Sequence, residues 1–308
     1  MNILSPIVVF TYNRPVHTLR TFNALLKNPL ANESDIIIYS DSARTATHNK
    51  AVDEVRSYLS EITGFRSKKV IHRDRNFGLA ESIIQGVTEV LQESEKLIVL
   101  EDDMVVSPYF LTYMNDALDL FAEDERVISI HGYVYPVDQE LPPAFFIPGA
   151  DCWGWATWKR GWEIFNYDGQ FLLDELTRQG LLRTFDFNGT YPYSLMLKDQ
   201  IQGKNDSWAI RWYASAFLQN KMTLYPGCSL VQNIGNDNSG THCGKSRSMD
   251  VELNASPINL KNIEVEVSQV ALAAFENYFK KNKTKLSLNT MITVAKKTLK
   301  NFGSHFVS

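Results

Sequence analysis

Over the first 132 residues, apolar and polar positions follow two alternating rhythms. Short apolar runs at 6–10 (PIVVF), 35–40 (DIIIYS), 69–72, 96–100 (KLIVL) and 126–131 predict strands. Between them, helical spacing predicts helices from Pro15, over 48–62 with Gly64 as the stop, over 78–93, and from Ser107-Pro108 with Ser107 as N-cap. This alternation predicts an α/β fold with a mainly parallel central sheet flanked by helices. Ligands of such sheets bind beyond the carboxyl ends of the strands. Asn13, Arg14, Asp41, Arg75, Asn76 and the triplet Glu101-Asp102-Asp103 all follow strands directly, so they are expected on one edge.

From about Tyr133 the rhythm breaks. Tryptophans crowd into 153–162, and 183–193 and 233–245 read as loops rich in Gly, Asn, Thr and Ser. This half is expected to complete the sheet and build the acceptor side. From Ile258 helical periodicity returns and ends in a basic tail. The expected organisation is a domain over 1–245, divided into 1–132 and 133–245, and a helical extension over 246–308.

Composition narrows the classes. The 308 residues are 44% hydrophobic and 21% charged, as in a soluble globular chain, and the net charge of -4 gives nucleic acid no electrostatic footing. No run of about 18 or more apolar residues predicts a transmembrane helix. The N-terminus reads as the start of a first strand and not as a signal peptide. The three cysteines, Cys152, Cys228 and Cys243, are sparse and odd in number, which fits a reduced, cytoplasmic setting. His242 beside Cys243 lacks a second pair at zinc-like spacing.

The acidic triplet is the sharpest chemical signal. Three adjacent carboxylates at the end of an apolar strand repel one another, and something positive should offset them. Mg²⁺ or Mn²⁺ suits oxygen ligands, and Mg²⁺ takes one or two carboxylates with phosphate oxygens and water in its other positions. The bland alternative is a solvated acidic turn. Asp41 can accept hydrogen bonds from a nucleobase or ribose, or serve as a helix cap or Asx turn. The segment Arg73-Asp74-Arg75-Asn76-Phe77-Gly78 precedes a helix and makes an anion-friendly corner or a surface charge cluster. Asp206 can be a general base or the N-cap of a helix starting at Trp208, with Asp151 and Asp199 as other candidate bases. Most of the six tryptophans suit a core better than a sugar platform. The Gly- and Asn-rich loop 233–244 could order over a ligand as a lid.

Together IVVFTYNRP, Asp41, RNFGLAESIIQGV and LEDDMVVSPYFLTYM resemble GT-A glycosyltransferases of the family 2 type. The triplet and its surroundings look more like N-acetylglucosaminyltransferase I, where an acidic E-D-D is followed by a proline and an aromatic-rich helix. The likeness covers roughly 5–245. It implies a GT-A fold and metal-dependent transfer from a nucleotide sugar, UDP-linked by preference, to a glycan or lipid-linked acceptor in polysaccharide or glycoconjugate assembly. It further implies Arg14 and Asp41 at the nucleotide, with Asp41 at a uracil; Arg75 and Asn76 are expected on the same edge by their place after a strand. Glu101 and Asp102 would contact sugar or ribose, and Asp103 would hold Mn²⁺ or Mg²⁺. Asp206 would be the base of an inverting reaction, and the loop around His242 would close on the donor. Where the family pattern has two adjacent acids near the base, this chain has Asp206 alone.

A sugar nucleotidyltransferase should carry a Gly-rich, Arg-containing loop after strand one, and Thr11-Tyr12-Asn13-Arg14-Pro15 has no glycine. A glycoside hydrolase needs no nucleotide edge, and a non-catalytic carbohydrate-binding protein needs no intact triplet. Residues 280–300 hold seven lysines and no acidic residue. They predict a basic amphipathic helix, either peripheral on an anionic membrane or packed on the domain.

Overall fold

A computed structural model describes residues 4–237 and 247–282. The strands are β1 (Ile7–Thr11), β2 (Asp35–Ser40), β3 (Ser67–His72), β4 (Lys96–Glu101), β5 (Met104–Val106), β6 (Val127–His131), β7 (Ala144–Pro148), β8 (Trp155–Trp158), β9 (Met222–Pro226) and β10 (Val231–Asn233). The helices are α1 (Pro15–Leu25), α2 (Asn49–Glu61), α3 (Gly78–Glu93), α4 (Phe110–Leu120), α5 (Lys159–Trp162), α6 (Gly169–Arg178), α7 (Leu182–Phe185), α8 (Tyr193–Ile201) and α9 (Trp208–Leu218). Residues 269–282 are helical as well.

The main sheet has eight strands in the order β3-β2-β1-β4-β8-β6-β9-β7. The first four pair in parallel. β8 enters antiparallel between β4 and β6, β6 and β9 pair in parallel, and β7 closes antiparallel to β9. Six of the eight strands therefore run one way, giving the mainly parallel α/β sheet that the early rhythm predicts. β5 and β10 form a separate antiparallel ladder beside it.

β1 and β6 are buried at every position. Such strands need cover on both faces, and period-2 alternation sends successive side chains to opposite covers. Ile7 and Val9 face Phe22 and Leu25 of α1 and Val55 and Leu59 of α2. Val8 and Phe10 face Ile83, Ile84 and Val87 of α3 and Trp212 of α9. Five tryptophans are buried and Trp153 is partly so, which settles the cluster as core. The edge strand β3 carries Lys68, whose ammonium donates to the carbonyls of Leu59, Ser60 and Ile62 at 2.7–2.8 Å. It thereby satisfies the last orphan carbonyls of α2, and the helix ends before Gly64.

Three local expectations change. α4 starts at Phe110, not at Pro108. The Ser107 hydroxyl accepts from Tyr109 N at 3.2 Å and donates to the Asn254 carbonyl at 2.6 Å, so it ties chain to chain instead of capping. The 183–193 loop contains the end of α7 and the start of α8. Helical structure begins at 269 rather than 258, because 247–268 is spent crossing the domain. There Asn254 N donates to the Ser229 carbonyl at 2.8 Å and Val267 bridges Phe146. Phe275 and Phe279 then pack with Phe145 and Tyr225. No helix among the described residues is long and apolar enough to cross a membrane. Most of the basic stretch 280–300 lies outside the described residues.

α3 seats on the sheet through Gly86. A Cβ there would meet the Phe10 ring at 2.7 Å and the Tyr39 ring at 2.9 Å, and those rings are themselves stacked at 5.2 Å. Gly86→Ala is expected to destabilise the fold by about 1–3 kcal/mol despite alanine's better helix propensity. Thermal or urea unfolding measures it.

Candidate active site

Parallel strands bring their carboxyl ends to one edge, and the registers fix which residues meet there. Phe10 pairs Glu101 and Thr11 pairs Ser40. The residues just beyond, 12–14, 41 and 102–103, therefore gather on that edge although they are far apart in sequence.

Arg14, just before α1, carries the centre. One of its guanidinium nitrogens reaches Asp102 Oδ1 and stands 2.9 Å from Asp103 Oδ2. Asp102 Oδ2 also accepts from Tyr12 N at 3.2 Å, and the Asp102 carbonyl accepts from Thr21 Oγ1 at 2.9 Å. The positive offset that the triplet requires is thus partly supplied by the chain itself. Burial works to lower the Arg14 pKa, but the charges of Asp102 and Asp103 outweigh it and hold the guanidinium well above its ordinary value. Burial raises Asp103, and Arg14 opposes that only in part. Burial, with the charge of Asp103, pushes Glu101 up to about 8.

One atom is left over. Asp103 Oδ1 is buried and has no hydrogen-bond partner among the described residues. An orphaned anionic oxygen is costly, and this one fits a cation ligand. Among the described residues no group of three or more His, Cys, Asp or Glu could hold a metal alone. An ion held here would take this one carboxylate from the protein and its other ligands from phosphate and water.

The base of the expected lid backs onto the same carboxylate. β10 pairs β5 with Asn233 opposite Met104, and Ile234 N donates to the Asp103 carbonyl at 2.9 Å. Gly235 lies so close that a Cβ would collide with Asp103 Oδ2 and stand 3.0 Å from Arg14 Nη1. Asp237 pairs with His17 Nε2 at 3.1 Å. His242 lies outside the described residues.

Asp41 is fully engaged by the chain. Oδ1 accepts from Ser42 N and Phe77 N, and Oδ2 from Asn76 Nδ2 and Gly78 N, each at 2.9 Å. These fill the roughly four lone-pair positions of a carboxylate. The turn-and-cap alternative is what the structure shows, and Asn76 is consumed in the same network. Arg75 points outward, 3.2 Å from Glu81 Oε1, with its side chain 65% exposed. It forms the surface charge cluster rather than the anion corner.

Asp206 is exposed at the mouth of a groove between α3 and α9. It does not cap α9. Ser207 does, its side chain accepting from Ile210 N at 3.2 Å. Asp199 lies at the other end of this segment, with Lys204 at 3.4 Å. Asp151 accepts from Cys152 N at 2.8 Å and Tyr225 OH at 3.1 Å. Burial raises the Cys152 thiol, and the charges of Asp151, Glu101 and Asp103 add to this, so this stretch runs alongside the triplet.

Sequence reasoning missed three supports. Arg56 of α2 donates to the carbonyls of Ser40, Asp41 and Arg73 at 3.1–3.4 Å and clamps the ends of β2 and β3 together. His17 stands three residues after Arg14 on one helix face, a spacing that could have flagged it. Gly235 had no local signal.

Residues 7–147 match the model of Glycosyl transferase family 2. The match takes in just under half of the 308 residues, and the mainly parallel α/β sheet agrees with it. The match ends in β7, so it takes in the triplet edge and leaves Asp206 and the base of the expected lid outside. The mannosyltransferase PcManGT from Pyrobaculum calidifontis, solved with GDP-Man and Mn²⁺, is 11% identical over 43% of this chain and 36% of that one, with a TM-score of 0.30. TarS from S. aureus is 16% identical over 48% of this chain and 25% of that one, with a TM-score of 0.31. The chain thus spans about a third of the first and a quarter of the second. Comparison with the curated proteins gives no match.

A raised acid contributes stability that is fully present below its unfolded pKa and is lost as pH rises through its folded one. With Glu101 at about 8 against 4.5 unfolded, the metal-free protein is expected to lose stability as pH rises between those values. Melting temperatures in chelator across that window, for wild type and Glu101→Gln, check this. The variant should show a distinctly flatter profile.

Proposed function

We propose that this protein is a metal-dependent glycosyltransferase that moves a sugar from a nucleotide-diphosphate sugar, UDP-linked by preference, to a hydroxyl of a glycan or lipid-linked acceptor. The observation that carries the reading is the buried Asp103 Oδ1, without a hydrogen-bond partner among the described residues, beside Arg14 at the end of β4. Asp103 holds Mn²⁺ or Mg²⁺ through that oxygen. The metal, when bound, neutralises the charge that gathers on the departing diphosphate.

The chain's own groups do the rest. Arg14 adds a fixed positive charge in a buried setting, where it is worth more than in water. Glu101 and Asp102 face sugar and ribose. Asp41 shapes the nucleotide edge by holding Asn76, Phe77 and Gly78 in place. For Asp41 to accept a uracil N–H, one of those bonds must open. Asp206 takes the proton of the acceptor hydroxyl as its oxygen bonds to the sugar carbon and the nucleoside diphosphate leaves, with inversion. Capping of α9 by Ser207 leaves the Asp206 carboxylate available for this role.

Calorimetry with UDP tests the metal half. Binding should require Mn²⁺, and Asp103→Ala should weaken it by roughly tenfold or more. Binding indifferent to both would overturn the reading. For the base, Asp206→Asn is expected to slow Mn²⁺-supported turnover of the nucleotide sugar by about 10²–10⁴ with UDP affinity unchanged. A variant with wild-type turnover would remove Asp206 from the mechanism.

A further inference from the structure

The groove beside Asp206 has a composition of its own. It measures about 490 Å³ and runs between α3 and the N-terminal turns of α9, within the range of small-molecule sites. Ala80 and Ile84 line it on the apolar side, and Thr88 and Gln85 are polar lining residues. Its rim holds Tyr167, 57% exposed, whose ring sits edge-on against Phe165 at 4.9 Å.

The charges of the groove balance in pairs. Glu81 is met by Arg75 at 3.2 Å and Glu89 by Arg73 at 3.5 Å, and the charge of Asp206 acts on Arg211. A strongly anionic or cationic ligand would break this balance. Hydrogen-bonding capacity is nonetheless left open. Arg211 is 9% exposed, yet it makes only two bonds of 3.4 Å, from Nε to the Ser207 carbonyl and from Nη1 to the Tyr167 carbonyl. Its Nη2 donates no hydrogen bond among the described residues, and Asp206 accepts none there. Arg211 has no buried, unpartnered side-chain nitrogen among the described residues, so its spare donors are open to a ligand in the groove.

An apolar floor, an exposed aromatic ring and planar polar groups with free donors and acceptors match one chemistry. A neutral sugar ring presents C–H faces to apolar and aromatic surfaces and hydroxyls at its rim. One end of the groove also meets the nucleotide edge, because Phe77, which lines it, donates its N–H to Asp41. We propose that the groove between α3 and α9 holds neutral sugar residues of the acceptor glycan, with Tyr167 as the stacking surface and Arg211 and Gln85 reading hydroxyls. This rests on the glycosyl-transfer reading and adds to it the place and the charge class of the acceptor.

The test uses the full chain saturated with UDP and Mn²⁺, so that the donor position is filled. Saturation-transfer NMR is recorded with glucose, galactose, mannose and N-acetylglucosamine, and with glucuronic acid as the charged control. At least one neutral sugar should receive saturation, and glucuronic acid should receive less. Tyr167→Ala, a change at an exposed ring, should weaken that binding roughly threefold to tenfold, from the usual worth of a ring contact. Gln85→Ala should weaken it as well, and UDP affinity should be unchanged in both variants. No saturation of any neutral sugar, equal binding by Tyr167→Ala, or preference for glucuronic acid overturns the acceptor groove while UDP binding leaves the transfer reading standing. Loss of UDP binding in the wild type overturns the transfer reading, and the groove assignment falls with it.

Discussion

The contact of Arg14 with Asp102 and Asp103 is the constraint around which the rest is arranged. Three carboxylates at the end of a buried strand could not stay desolvated without a cation close by. The chain supplies one from the neighbouring parallel strand, and the first turn of α1 fixes where it stands. The price is geometric: β1 and β4 must pair in the register that sets Phe10 against Glu101. The balance is also incomplete. Glu101 remains raised and one oxygen of Asp103 remains bare, so the edge keeps a capacity for one more positive charge.

Much of this edge was legible because parallel α/β sheets couple sequence to place so tightly. A polar residue directly after an apolar run must sit at a strand's carboxyl end, and the runs PIVVF, DIIIYS and KLIVL are unambiguous. What those residues do once there was less legible. Asp41 reads equally as a nucleobase acceptor or a turn former, because nothing local says that the N–H groups of Phe77 and Gly78 will arrive opposite it. The same holds for Asp206. Ser207 next to it is just as good a cap, and only the backbone shows which of the two took the position.

The second half was harder for a different reason. β8 (WATW) is buried on both faces, so it shows no alternation, and its partners in the sheet lie 56–62 residues upstream in β4 and 24–28 upstream in β6. Its tryptophans looked like a surface platform or a core, and burial decides for core. The groove beside α3 left no sequence signal, since Gln85, Tyr167 and Arg211 come from three segments that only packing joins.

The last segment has a consequence for how the molecule is made. β7 is an outer strand of the sheet, and its inner face is covered by Phe275 and Phe279, while Val267 runs along its edge at Phe146. Those residues lie more than a hundred positions downstream. During synthesis the acidic-triplet edge can be in place while this flank still stands open, waiting for chain that has not yet left the ribosome. Long-range closures of this kind slow folding and leave sticky intermediates exposed. A chaperone that shields a nascent sheet would find its target at β7.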